Sequence, residues 1–129
     1  MILKNKVPEL AENVANAAGI YPKKLPPNFP SDIPIYTGLA PVVGAAKGEV
    51  LTAQLEGKGE KAQVVSYYQE QMSQKGWTEM GVTEMGESGQ MVRFEKGDHV
   101  AIVTVLTGSS GQVNVNITYG KKDKVEESD

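Results

Sequence analysis

Three observations predict an α+β domain with a mainly antiparallel sheet. Residues 60–77 carry apolar side chains at helical spacing and end in Gly76-Trp77. Short alternating runs flank that stretch, one before it and several after. All seven prolines stand before residue 42, so the body of the chain can form helix and ladder without interruption. The predicted order is β-α-β-β-β-β, with one principal helix packed on one face of the sheet. An N-terminal helix and a Pro-rich strap are expected at an edge or on the other face.

Each element has its own warrant. In residues 1–20, Leu3, Val7, Leu10, Val14 and Ala17 recur at spacings of four and three, the stripe of an amphipathic helix whose left-handed stop is Gly19. Its polar face lacks the Lys and Arg of a membrane-surface helix, so packing on its own domain or fraying is the expectation. Residues 21–48 form the strap: repeated proline fixes φ and biases the preceding residues to extended conformations, while Leu25, Phe29, Ile33, Ile35, Tyr36 and Leu39 stand between the prolines to reach a core. The core domain is expected over 49–120. In 49–56, Leu51, Ala53 and Leu55 alternate with Val50, Thr52 and Gln54. The helix then aligns Ala62, Val65, Tyr68 and Met72, with Val64 beside them, and Trp77 folds back to seal its end. Strands are predicted at 77–85, 90–95, 99–107 and 112–119, separated by Gly-, Asp- and Ser-bearing turns. Residues 101–106 are apolar on both faces, which predicts a central strand covered on both sides, by the helix and by the strap or N-terminal helix. Residues 121–129 are read as a disordered, charged tail.

Composition excludes several classes. A chain of 129 residues with net charge -3 and pI near 5.2 lacks the basic face of a nucleic-acid binder. It has no cysteine, hence neither a disulfide framework nor a thiolate site, and its single histidine, His99, rules out a multi-histidine metal site. No apolar run approaches the roughly 20 residues of a membrane-spanning helix. No cofactor is expected.

Candidate chemistry is sparse. Asp98 and His99 are neighbours, but alternation along a strand directs adjacent side chains to opposite faces. Glu79 and Glu84 are an odd number of residues apart and would likewise diverge, and Glu87 and Glu95 read as solvated strand ends. The glycines at 57–59 and 108–111 lack the form of a phosphate loop. No catalytic residue is assigned. The candidates for ligand or partner contact are Tyr36, Tyr67, Tyr68 and Trp77: Tyr67 and Tyr68 cannot both face the core, and Tyr67, with Trp77 and Tyr119, suggests an aromatic patch.

The phrases PSDIPIYTGL (30–39), AQVVSYYQEQMSQKGW (62–77) and MVRFEKGDHVAIVTV (91–105) resemble a group of small bacterial envelope domains, many of them lipoproteins or exported proteins. More distantly, their order is similar to the helix-on-sheet domains of outer-membrane assembly lipoproteins. The resemblance implies fold and an extracytoplasmic setting, with a cytoplasmic one as the alternative, and it transfers no functional residue; no lipobox cysteine is present. The function expected is a non-enzymatic binding or structural module of the cell envelope that presents a sheet face or edge to an envelope protein. The alternatives are a small-ligand binder with a cleft between helix and strap, lined by Tyr36, Tyr68 and Trp77, and a small enzyme with a carboxylate and tyrosine site.

Overall fold

The computed structural model describes residues 19–127; the expected N-terminal helix lies outside them. The elements run β1 (Ile20–Pro22), β2 (Leu39–Lys47), β3 (Val50–Lys58), α1 (Lys61–Gln74), β4 (Thr78–Glu84), β5 (Gly89–Lys96), β6 (His99–Thr107), β7 (Gln112–Lys121) and α2 (Lys122–Glu127). The described strands form one seven-stranded sheet in the order β1-β2-β3-β7-β6-β5-β4, antiparallel throughout. The α+β class, the principal helix and the four strands after it are as expected. Two strands precede the predicted first one, so the order is β-β-β-α-β-β-β-β with a short closing helix.

The helix ends as its sequence dictates. Gly76 adopts φ 94°, the Gly76 amide donates to Ser73 O at 3.1 Å, and the Trp77 amide donates to Met72 O at 2.9 Å. This paired closure satisfies carbonyls of the last turn and needs a residue free to enter left-handed space. Val64, Val65, Tyr68 and Met72 are buried, whereas Ala62, assigned to the same stripe, is exposed. They pack on Leu55, Val92, Phe94, Ala101, Val103, Val105, Val113, Val115 and Ile117, the inward residues of β3, β5, β6 and β7.

Three expectations are corrected. Residues 39–47, assigned to the strap, form β2; its alternation is masked by small residues and by Pro41, which is tolerated because the pairing with β3 slips between Pro41 and Val43. The strap proper lies on the same face as α1. Pro26 crosses directly over Gly44 of β2, where any side chain would collide with it, and Ile33 enters the core, so the strap covers the part of the sheet that one helix cannot. The other side of β6 is therefore not covered by the strap. Finally, the charged tail is not featureless: residues Lys122–Glu127 make a helical turn and a half, and Val125 is buried against Gly120 and Val50 on the outer face.

Candidate functional site

The four aromatic candidates divide into two groups. Tyr36 and Tyr67 meet edge to face with centroids 5.0 Å apart, and Tyr67 meets Tyr68 in the same way at 5.3 Å. Tyr68 is fully buried, and its hydroxyl accepts the Tyr36 amide at 3.3 Å, fastening the strap to α1. Burial pushes its phenol well above the usual tyrosine range. Trp77 stands apart from this trio. It packs against Tyr119 at 6.0 Å, Lys96 Nζ lies 5.9 Å over its ring, and its indole N–H is buried without a partner among the described residues. Helix and strap thus meet at these rings, and the concavities over the outer face and beside the β5–β6 turn are lined by other residues.

Lys96 and Asp32 are residues that sequence reasoning missed. Lys96 Nζ reaches Asp32 Oδ2 at 2.7 Å and the Lys75 carbonyl at 2.8 Å, closing the C-terminal end of α1 and tying the strap to β5. A cation is favourable at that end of a helix. A lysine in an ordinary hairpin turn carries no local signal of a partner 64 residues away.

Asp98 and His99 do meet, with Oδ1 and Nδ1 2.8 Å apart. Asp98 belongs to the β5–β6 turn and not to the strand, so the alternation argument does not govern it. His99 stacks on Tyr119 at 5.3 Å, and Asp98 is three-quarters exposed. Burial, then Asp32 and Asp98, raise the Tyr119 phenol, and Lys96 partly offsets them. Glu79 and Glu84 are corrected too: a bulge after Glu79 pairs them with Phe94 and Gln90, four residues apart, which returns both to one face. That spacing separates them by about 13 Å, wider than the roughly 5–9.5 Å of a hydrolytic carboxylate pair. Among the described residues no three acidic or histidine side chains cluster to hold a metal, and no helix is long and apolar enough to cross a membrane.

The feature with the shape of a binding surface is the outer face of the sheet. Ladder partners fall on the same side, so Ile20, Ala45, Thr52, Thr118, Ile102 and Arg93 form one row across β1, β2, β3, β7, β6 and β5. The next row holds Val43, Gln54, Asn116, Thr104 and Met91. A concavity of about 420 Å³ lies over Lys47, Val50, Thr52, Met91, Ile102, Thr104, Asn116, Thr118 and Val125. It adjoins a second of about 480 Å³ that shares Met91 and Ile102 and extends to Met80, Gly81, Thr83 and Arg93. Arg93 is ion-paired with Glu95 at 3.1 Å. The surface therefore offers methyl groups, two thioethers, four hydroxyls, one carboxamide and the basic groups of Lys47 and Arg93.

No curated protein and no solved structure matches the chain. A family model described as START domain-like matches residues 42–126, about two thirds of the chain, from within β2 to α2. The comparisons name no outer-membrane lipoprotein, and the likeness to that group has no support beyond the quoted phrases.

Proposed function

The chain belongs to the START domain-like family, whose domains are typically ligand-binding and not catalytic, and from that premise we propose that it binds an amphipathic small molecule on the outer face of its sheet. One observation carries the reading. The helix side is filled by side chains with no accessible surface, while the outer face is concave, partly apolar and studded with Thr52, Thr104, Thr118 and Asn116. A site of several hundred Å³, apolar in the main with a few convergent polar groups, suits a small ligand. The hydroxyl and carboxamide groups, with the Lys47 ammonium among the lining side chains, suit a ligand whose polar end carries a hydroxyl, carbonyl or carboxylate. Titration with the fluorescent amphiphile cis-parinaric acid tests this. Saturable binding is expected, weakened at least tenfold by Ile102→Lys and unchanged by Gln63→Lys on the exposed side of α1. Binding that is absent, or indifferent to Ile102→Lys, overturns the reading.

A second reading is favoured by the sheet edge. Every residue of β4 is exposed, including Met80 at 53% and Val82 at 40%, and its outward backbone groups can accept a strand from a protein partner. In an extracytoplasmic setting that partner would be an envelope protein. Crosslinking in cells should then recover a partner whose yield collapses with Val82→Pro; an unchanged yield rejects the edge.

A further inference from the structure

The open border of the sheet carries a pattern set by its register. Met85 N–H donates to Gly89 O at 3.0 Å, so Glu84 and Gln90 face each other without mutual hydrogen bonds, and two residues further on Val82 and Val92 do the same. The backbone groups of Val82 and Glu84 therefore point away from β5 into solvent. Their side chains lie on the helix side of the sheet, because Val92 is a core residue and ladder partners share a face. The bulge after Glu79 returns that carboxylate to the same side. The intervening positions look the other way: Met80 and Thr83 border the outer concavity, and Met85 lies with Leu106 beside Gly89.

We propose that β4 accepts, in antiparallel register, an extended segment of a partner protein in which basic side chains alternate with apolar ones. This deepens the edge reading above and rests on it. On the helix side the incoming residues meet Glu79, Val82 and Glu84, and on the outer side they meet Met80, Thr83 and Met85. Charge complementarity selects the occupant. Residues 78–92 hold three glutamates and no lysine or arginine, and neither Glu79 nor Glu84 is ion-paired among the described residues. Lys61 directs its Nζ to the Glu87 carbonyl at 3.0 Å. Arg93 pairs with Gly81 on the outer side, where it disfavours a second cation, so the two faces of the incoming strand are not interchangeable. A second copy of this chain fits poorly, since it would bring its own Glu79 and Glu84 to the same seam, and like charges facing each other across a ladder are unfavourable.

A fluorescein-labelled heptapeptide of alternating lysine and valine, titrated against the full chain by anisotropy, tests this. It should bind at least tenfold more tightly than the alternating glutamate and valine peptide, and than the same lysines and valines arranged in two blocks. Glu79→Lys combined with Glu84→Lys should invert the first preference. Methylating the backbone amides of the peptide's lysines, which face Val82 and Glu84 in this register, should abolish binding, whereas methylating those of its valines should change it less than threefold. Val82→Pro should abolish it too, and the methylated peptides decide the matter even if that variant fails to fold. Equal affinity for the lysine and glutamate peptides, both lost with Val82→Pro, sinks the cationic pattern alone and leaves the edge reading standing. Binding that survives Val82→Pro and both methylations sinks the two together. No peptide binding, or sedimentation as a dimer that Val82→Pro dissociates, overturns the proposal, and the crosslink in cells then decides the edge reading by itself.

Discussion

Tyr68 concentrates the cost and the gain of a buried polar group in one side chain. Its ring fills the junction of α1, strap and sheet, and its hydroxyl is made tolerable there by accepting the Tyr36 amide. Removing the hydroxyl with Tyr68→Phe should cost about 1 kcal/mol at neutral pH, the net worth of one such bond, read from urea unfolding. The pH dependence has a definite sign. In the unfolded chain the phenol ionises near its ordinary value of about 10, whereas in the folded protein burial holds it protonated to higher pH. The contribution is fully present below about pH 10 and is lost as pH rises from there through the folded value. Stability of the native protein should therefore fall more steeply between about pH 9.5 and 11.5 than that of Tyr68→Phe; parallel curves would show that the phenol does not titrate with unfolding. The pairing of Tyr68 with Tyr36 was not legible in sequence, because a side chain in the helix and a backbone amide in the strap are joined by topology alone. That Tyr67 would look outward was legible, since adjacent helical positions diverge. Its neighbours were not: it meets Tyr36, while Trp77 meets Tyr119.

At the scale of elements, α1 was written plainly in the chain because its apolar period, its glycine and its tryptophan agree with one another. The closure at Gly76 makes a sharp prediction. Alanine there must adopt φ 94° and place its β-carbon 3.3 Å from Lys96 Cε, which bears on the Asp32 and Lys75 contacts of that lysine. Gly76→Ala should cost about 1 kcal/mol or somewhat more in chemical denaturation, whereas Ser73→Ala on the exposed side of the same turn should stay within about 0.5 kcal/mol; equal effects would mean the closure contributes nothing. Strands β3 to β7 were legible from alternation and turn chemistry. Strand β2 was not, because Pro41, Gly44, Ala45 and Ala46 have weak strand preferences and are held extended by β1 and β3 on either side. The bulge in β4 was equally silent, and with it the common facing of Glu79 and Glu84.

At the scale of the whole molecule, the described residues make one sheet with two unlike sides. The helix side is closed by α1 and by a strap of successive turns, while among the described residues the outer side is closed only at one end, where Val125 seats over Gly120. The sequence could announce the closed side, since alternating apolar residues imply a buried face. It could not announce the open one: Thr52, Thr104, Asn116 and Thr118 read singly as solvated positions, and only the ladder register assembles them into a concave field. The same register sets the two lateral margins of the sheet. At one margin β1 is three residues long and stops at Pro22, which lacks a donor, followed by Lys23 at φ 62°. At the other, β4 is seven residues long and open to solvent. Among the described residues, strand-by-strand growth can thus start at the β4 border and meets only a three-residue strand at the other, so like copies joining through β4 would close as a finite couple.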